Sequence, residues 1–185
     1  MKQSRIQTLI TQSRQGNTQA FATLVEEYQP LVFRLAFRLL CDEDEARDVV
    51  QDTFIKVWLS LHTYNSKFRF STWIYKVATN AAYDKLRNLQ HTATSFSTNE
   101  VATDFHFLSE EDIEKTLDNR ELKQLIISLT AELPPSQKLV FTLRDLEELE
   151  TEEVEIITGL SAARIKSNLY LARKFIRERI NKLYM

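Results

Sequence analysis

The amino-acid sequence predicts an all-α protein, and three observations lead to this prediction. The chain of 185 residues contains only 2 glycines and 3 prolines, so the residues that most often interrupt helices are scarce. Helix-forming residues such as leucine, alanine, glutamate and lysine are abundant instead. Apolar residues also recur at intervals of three and four, which is the spacing of one helix face. A chain of this length is long enough to bury the cores of one or two domains.

The first helices are predicted from apolar spacing and its interruptions. A short helix after Ile6 should end at Gly16, and a second helix should follow Asn17. From Phe21 onward the helical rhythm continues across Pro30, which either kinks this helix or begins a new one.

The most regular helix follows the acidic run at 42–45, whose negative charge suits the first turn of a helix. One face is predicted to be a buried seam, made of Ala46, Val49, Val50, Thr53, Phe54, Val57, Trp58 and Leu61. The opposite face carries Asp48, Gln51, Asp52, Ile55 and Leu59. Two interpretations stay open for this second face: a protein-binding surface, or a surface that covers another part of the same bundle.

The stretch 68–88 should form a helix capped by Ser71 or Thr72. Its apolar face consists of Ile74, Val77, Ala78 and Ala81. A different side carries Trp73, Lys76, Asn80, Tyr83, Asp84 and Arg87. Rings can stack on unpaired bases, an amide can read base edges and cations can contact phosphates, so this stripe suits single-stranded nucleic acid. From the pattern alone, a buried tryptophan beside a solvated polar face is the commoner arrangement.

The periodicity is lost in a polar stretch that separates two domains. We predict a first domain at 1–90, a linker at 91–111 and a second domain at 112–185. Three phenylalanines are unusual in a pure spacer and suggest that parts of it lie against a partner: Phe96, Phe105 and Phe107.

The second domain contains a helix-turn-helix pattern at 151–174. Thr151 can cap the first helix, Gly159 permits the left-handed bend, and Ser161 can cap the second helix. The outward side of the second helix offers Ala162, Ala163, Arg164, Lys166, Ser167, Asn168 and Arg173. These polar and basic residues favour DNA binding in a major groove over a generic helical hairpin, although the hairpin remains an alternative.

Net charge and cysteine content limit the class of protein further. The net charge is −2, so any nucleic-acid surface must be local, as the basic cluster near the end of the chain indicates. Cys41 is the only cysteine, which excludes an intrachain disulfide and fits a reducing compartment. No apolar run approaches the ~20 residues of a membrane span. We therefore expect a soluble, cytoplasmic protein.

Catalytic motifs are not recognisable in the sequence. His62, His91 and His106 lack Cys or His partners at metal-ligand spacing. The chain has no glycine-rich phosphate loop and no nucleophile elbow, and its acids lie in solvated runs. We expect neither an enzyme nor a cofactor or metal site.

Three segments, taken in their order along the chain, resemble a bacterial RNA polymerase sigma factor of the extracytoplasmic-function (ECF, group IV) type. DVVQDTFIKVW at 48–58 is similar to the signature of sigma region 2, and FSTWIYKVATNAAYDKLR at 70–87 resembles the helix that melts and reads the −10 element. LPPSQKLVFTLRDLE at 133–147, with the helix-turn-helix after it, resembles sigma region 4, which binds the −35 element. The resemblance covers about 21–89 and 122–183.

The resemblance implies roles for the surfaces described above. Polymerase binding, through the clamp helices of the β′ subunit, is implied for Asp48, Gln51 and Asp52, with Ile55 and Lys56 beside them. Contact with the −10 element is implied for Asn80, with Trp73, Lys76, Tyr83 and Arg87 on the same stripe. The loop 62–70 resembles the one that captures a flipped −10 base. Contact with the −35 element is implied for Ser161, Arg164, Lys166, Ser167, Asn168 and Arg173.

Further partners follow from the same resemblance. The upstream part of region 4 would meet the flap of the β subunit, and the linker would pass near the active-site channel of the polymerase. An anti-sigma factor, often membrane-bound, would hide the polymerase-binding faces.

Four positions depart from the family pattern in the helix-turn-helix, and two of them, Glu150 and Thr151, replace the usual small polar residues at the helix entry. Glu155 stands where a small residue is usual, and Thr158 replaces a usual leucine. A carboxylate near the helix crossing needs to reach solvent or a cation, because burying it unpaired is costly. Arg164 or Lys166 could be that cation, which would remove it from the DNA-facing set.

Two other functions remain as alternatives. A stand-alone helix-turn-helix regulator would bind a palindrome as a dimer, but it has no need of the region 2-like half. A protein-binding helical adaptor would use the basic end for an acidic partner rather than for DNA.

Overall fold

The computed structural model describes residues 2–93 and 125–184, and every regular element within these ranges is helical. The first range contains α1 (Lys2–Arg14), α2 (Thr18–Leu40), α3 (Glu43–Ser60) and α4 (Phe70–Ala93). The second range contains α5 (125–131), α6 (Pro135–Phe141), α7 (Thr151–Thr158) and α8 (Ala162–Tyr184). The fold is all-α, as the sequence predicts.

Helix α2 lies at the centre of the first half and packs against α1, α3 and α4. Its buried residues come from one stripe of the helix, which includes Leu24, Val32 and Leu35. The facing helices contribute their own stripes, with Val49 and Val57 from α3 among them. Apolar spacing of three and four therefore produces one shared core for the first half.

Two side chains begin α2 and α3 by capping their free amides. Asn17 Oδ1 accepts a hydrogen bond from the amide of Ala20 at 3.0 Å, and Asp42 Oδ1 accepts one from the amide of Glu45 at 2.9 Å. Gly16 precedes the first cap with a φ of 87°, a backbone conformation that favours glycine. The predicted break between α1 and α2 and the acidic start of α3 are confirmed.

Three details of the first half settle or correct the prediction. Helix α2 runs through Pro30 as one element, so no new helix begins there. Helix α4 begins at Phe70, which puts Thr72 in its first turn, where the hydroxyl donates to Glu153 Oε1 at 2.7 Å instead of capping the helix. Trp58 is 36% exposed rather than buried in the seam, because it lies at the edge of the bundle with its ring 4.7 Å from that of Phe21.

The helix-turn-helix of the second half is formed by α7 and α8. Val154, Ile157 and Ile165 are buried between the two helices, and Gly159 makes the turn with a φ of 71°. Glu150 rather than Thr151 occupies the position before α7, since the helix already begins at Thr151. A second, smaller core lies between α5, α6 and α8 and contains Leu129, Leu133, Phe141, Ala172 and Ile176.

The two halves pack against each other through α4 and α7. Val140, Leu143 and Val154 from the second half belong to the same hydrophobic cluster as Ile74 and Ala78 of α4. A buried carboxylate, Glu147, reinforces this contact from the turn that follows α6. The two halves are therefore packed together in this structure, and the predicted surfaces of both lie on the same packed unit.

Most of the predicted linker lies outside the described residues. Helix α4 extends to Ala93, so the first residues of the 91–111 segment are helical. Phe96, Phe105 and Phe107 lie outside the described ranges. Within 2–93 and 125–184, no helix is long and apolar enough to cross a membrane.

Candidate nucleic-acid and partner interfaces

The predicted protein-binding face of α3 points away from the core. The five residues for which the resemblance implies polymerase binding are all exposed: Asp48, Gln51, Asp52, Ile55 and Lys56. Ile55 is 59% exposed, and Leu59, one turn later, is 67% exposed. Within the described part of the chain, these two apolar side chains do not cover another part of the bundle, which was the alternative for this face.

Ion pairs from α4 hold two charged residues of the α3 face. Lys85 Nζ lies 3.0 Å from Asp48 Oδ2 and 2.5 Å from Glu45 Oε2. These hydrogen bonds raise the pKa of Lys85, so the ammonium stays charged. Lys56 Nζ lies 3.5 Å from Asp84 Oδ2. Asp48 and Lys56 are therefore oriented by residues of α4 before any partner binds.

The stripe predicted on α4 divides into an exposed part and a packed part. Lys76, Asn80 and Arg87 are exposed along one side of the helix. Tyr83 is half-buried, and its hydroxyl donates to the carbonyl of Pro135 at 2.9 Å. Burial raises the pKa of Tyr83 to about 12, so the hydroxyl keeps its proton at neutral pH.

Trp73 belongs to an aromatic cluster at the start of α4. Its ring centroid lies 5.5 Å from that of Tyr64 and 5.7 Å from that of Phe70. The indole is half-buried, so it supports the fold of this region while leaving one part of the ring accessible.

The loop between α3 and α4 presents an aromatic side chain that was not among the predicted site residues. Phe68 is 46% exposed and is flanked by Lys67 and Arg69. A ring between two cations in a polar loop is suited to stacking on a base beside a phosphate, and this local pattern could have identified it. A shallow pocket of about 290 Å³ adjoins the ring, lined by Lys67, Phe68, Arg69, Thr72, Glu150, Glu153 and Ile156.

The outward side of α8 carries the residues predicted to face DNA. Ser161, Arg164, Lys166 and Ser167 are exposed, and Asn168 is half-exposed, with its amide donating to the carbonyl of Arg164 at 2.9 Å. Tyr170 is 66% exposed on the same side, one turn after Lys166, and the sequence analysis did not name it.

Arg173 is held at the edge of this surface by an ion pair. Its Nε and Nη2 atoms donate to the two oxygens of Asp145 at 2.8 and 2.6 Å. The bonds raise the pKa of Arg173. Its guanidinium therefore fixes α8 to the turn after α6, and it is less free to reach a phosphate than Lys166.

The sequence suggested that Arg164 or Lys166 pairs with Glu155, and this suggestion was wrong. Its Oε1 atom accepts a hydrogen bond at 2.7 Å from the amide of Ala162, the first residue of α8, rather than pairing with Arg164 or Lys166. A carboxylate at this position satisfies a free amide and interacts well with the helix dipole. Thr158 also stabilises the turn, since its hydroxyl accepts from the amide of Leu160 at 3.1 Å. Both basic residues thus stay available on the surface.

Glu147 is the most strongly perturbed carboxylate at the contact between the halves. Its side chain is 2% exposed, Arg34 contacts it through bonds of 2.8 and 2.7 Å, and Arg38 contacts it as well. Burial alone would raise the pKa of Glu147, but the hydrogen bonds from Arg34 and Tyr75 and the charges of both arginines lower it below its usual value. The carboxylate is therefore ionised at neutral pH.

Two family models match the chain in the order that the motifs suggest. Sigma-70 region 2 matches residues 24–92, and Sigma-70, region 4 matches residues 123–176. The chain is 30% identical over 184 residues to the ECF RNA polymerase sigma-E factor of Haemophilus influenzae, covering 96% of each chain. It is 25% identical over 183 residues to the ECF RNA polymerase sigma factor SigW of Bacillus subtilis, covering 96% of this chain and 98% of SigW.

Two solved structures share the fold. CnrH in complex with the cytosolic domain of CnrY matches with a TM-score of 0.69 at 21% identity, covering 96% of this chain and 98% of that one. The sigma factor RpoE of Bartonella quintana in complex with the anti-sigma factor NepR matches with a TM-score of 0.73 at 20% identity, covering 87% of this chain and 96% of that one.

The two family matches and these relatives define a subunit of RNA polymerase that acts in transcription initiation. The chain belongs to the ECF RNA polymerase sigma factors of the sigma-70 family. It directs core RNA polymerase to promoters, and this membership favours that function over a stand-alone regulator.

Proposed function

We propose that three exposed surfaces of this sigma factor each bind a different ligand. The α3 face binds core polymerase, the α4 stripe with the 61–69 loop binds the melted −10 strand, and the outward side of α8 binds the −35 duplex. The observation that carries the proposal is the exposure of Lys76, Asn80 and Arg87 along one side of α4, beside a loop that presents Phe68. The three surfaces lie on different helices, so each can meet its own ligand.

The −10 surface has the groups that an unpaired strand requires. Lys76 and Arg87 contact phosphates, and the amide of Asn80 offers both a donor and an acceptor to a base edge. A base that leaves the stack loses a few kcal/mol of stacking and pairing, which a ring such as Phe68 can partly restore. Trp73 lies next to this loop and limits the space for the base, while Tyr83 becomes available once its bond to Pro135 opens.

The −35 surface reads duplex DNA through α8. Its exposed N-terminal turns can enter a major groove, where Arg164, Lys166, Ser167 and Asn168 reach base edges and phosphates. Tyr170 extends this surface by one turn. Arg173 borders it and orients the helix through Asp145.

The polymerase surface combines acids with an apolar centre. Asp48, Gln51 and Asp52 meet the clamp helices of the β′ subunit, while Ile55 and Leu59 supply apolar area that becomes buried in the complex. Lys56 lies at the rim. The upstream part of the second half meets the β flap, and the 91–111 linker passes near the active-site channel.

The domain boundaries follow from this division. Residues 1–90 form the polymerase-binding and −10-binding domain, and residues 112–185 form the −35-binding domain. The subunit has no catalysis of its own, since its contribution is to position polymerase and DNA, and it acts in the cytoplasm of a bacterium.

An anti-sigma factor is the regulatory partner that we propose. Two solved structures of similar fold are complexes, one with the cytosolic domain of CnrY and one with the anti-sigma factor NepR. A partner of this kind would cover the α3 face, whose exposed isoleucine and leucine make it suited to protein binding.

Reconstitution with core RNA polymerase tests the proposal. The chain and the core enzyme should elute together in gel filtration, and the complex should start run-off transcription at defined promoters. Asp52→Ala should weaken the complex, whereas Asn80→Ala should leave it intact and change promoter choice. Failure of the wild-type chain to form a complex with core polymerase would contradict the proposal.

A further inference from the structure

Arg14, in the last turn of α1, contacts the backbone of the loop that joins α3 to α4. Its Nε atom donates to the carbonyl of Leu61 at 3.0 Å, and its Nη2 atom donates to the carbonyl of Tyr64 at 2.5 Å. The same guanidinium lies over the Tyr64 ring, with its Cζ atom 5.9 Å from the ring centroid. A planar guanidinium holds its donors in a rigid fork, so one side chain fixes two points of the loop.

Tyr64 connects this anchor to the other end of the loop. Its ring is buried, 5.1 Å from the Phe70 ring, and its hydroxyl donates to the carbonyl of Phe68 at 2.7 Å. Gln7, also on α1, donates to the same hydroxyl at 3.3 Å. Two residues of α1 therefore hold the loop at Leu61, Tyr64 and, through the tyrosine hydroxyl, Phe68.

The orientation of Phe68 depends on these bonds. Asn65 forms a tight turn, in which its Oδ1 atom accepts from the amide of Lys67 at 3.0 Å and its carbonyl accepts from the amide of Phe68 at 3.2 Å. This turn and the bond from Tyr64 hold the backbone of Phe68 from both sides. Its ring is left exposed at the edge of the loop, where a base could stack.

We propose that Arg14 is a positioning residue for −10 recognition, which holds the 61–69 loop in the form that receives an unpaired base. The proposal rests on the proposed function of this loop. Helix α1 lies outside the Sigma-70 region 2 match, which begins at residue 24, so this role is an addition to the matched region. A loop that is already ordered binds its ligand more tightly, because binding does not have to order it.

The test measures how strongly the holoenzyme prefers an intact −10 strand to one that lacks a base. The probes are fork-junction DNAs from a promoter that the wild-type holoenzyme transcribes, each with one abasic nucleotide in the −10 strand. At the captured position the wild type should bind the intact probe about tenfold more tightly than the abasic one. Arg14→Gln should lower this ratio to about twofold or less, and Arg14→Lys should give an intermediate ratio, since one ammonium replaces the fork poorly.

Arg5→Gln is the matched control, because it removes the same charge from an exposed position of α1 and should keep the wild-type ratio. Tyr64→Phe is a second variant, which keeps the ring packing but removes the bond to Phe68, and it should also lower the ratio. If α1 only stabilised the fold, Arg14→Gln would lower the melting temperature but leave the ratio unchanged, and that result would overturn the inference. Absence of any preference in the wild type would instead overturn the proposed function of the loop.

Discussion

The hydroxyl of Tyr75 donates a hydrogen bond of 2.6 Å to Oε2 of Glu147, and this bond joins the two halves of the chain. Tyr75 lies on α4, whereas Glu147 follows the turn of π-helix at Thr142–Leu146. Arg34 and Arg38 contact the same carboxylate from α2. The buried charge of one half is thus neutralised by cations of the other half.

This contact brings the two proposed DNA-binding surfaces close together. Helices α4 and α8 both pack against the short helix α7, so their axes lie within roughly 20 Å of each other at usual packing distances. The centres of the −10 and −35 elements are about 25 base pairs apart, which is roughly 85 Å at 3.4 Å per base pair. Binding both elements therefore requires the halves to separate and the Glu147 cluster to open.

Glu147→Gln should weaken the contact between the halves. The amide cannot neutralise two arginines, and loss of one member of a buried ion pair costs about 3 kcal/mol. Denaturant unfolding should show this loss, and small-angle scattering should show a larger radius of gyration. Glu148→Gln, at an exposed neighbouring position, is the control and should change neither the stability nor the radius of gyration. A Glu147→Gln variant as stable and compact as the wild type would refute the role of the cluster.

The stabilisation by Glu147 should depend on pH in acid. Its pKa is lower in the folded protein than the usual 4.5, so the folded state binds fewer protons and its stability falls as the pH falls. The contribution is complete above about pH 5 and is lost as the pH falls through the folded pKa. The difference in free energy of unfolding between the wild type and Glu147→Gln should therefore shrink below pH 5. A difference that stays constant from pH 6 to pH 3 would contradict this assignment.

Ile55→Ala should weaken binding to core polymerase without destabilising the free protein. The side chain is 59% exposed, so its truncation removes little core packing, but it lies at the centre of the proposed interface. Loss of an apolar anchor at such a place reduces affinity by roughly tenfold or more. Titration of labelled protein with core enzyme measures the affinity, and thermal unfolding measures the stability. Tyr170→Ala, which truncates an exposed ring outside this face, should leave polymerase affinity unchanged.

Lys166→Ala should reduce the salt dependence of promoter binding. Loss of one phosphate contact lowers the slope of log affinity against log salt by about 0.9. Arg173→Ala should change the slope less, because that guanidinium is engaged by Asp145, and should instead lower the stability of the second half. Equal changes in slope for the two variants would show that Arg173 leaves Asp145 to contact DNA.

Sequence patterns predicted the helices well, because helix formation depends on residues that are close together in the chain. Apolar spacing identified the buried seam of α3, and Gly159 marked the turn of the helix-turn-helix through its positive φ. The face of α3 opposite the seam was also placed correctly, since the same period that buries one side exposes the other.

Contacts between distant parts of the chain could not be predicted in the same way. Glu147 is one of the acids that the sequence suggested to be solvated, yet its partners Arg34 and Arg38 lie more than a hundred positions earlier. Thr72 looked like a cap, but its hydroxyl bonds to Glu153 across the contact between the halves. Each of these partners is determined by tertiary packing, which a periodic pattern does not contain.

The most direct test of the account is promoter selectivity of the Asn80→Ala holoenzyme. Run-off transcription would be compared on one promoter and on versions with single substitutions in the −10 element, with Asn181→Ala, an exposed amide on α8, as control. The Asn80→Ala protein should bind core polymerase with wild-type affinity but lose discrimination at one −10 position by about tenfold, because a base-edge contact is lost. Unchanged selectivity at every −10 position would contradict the assignment of α4 as the −10-reading helix.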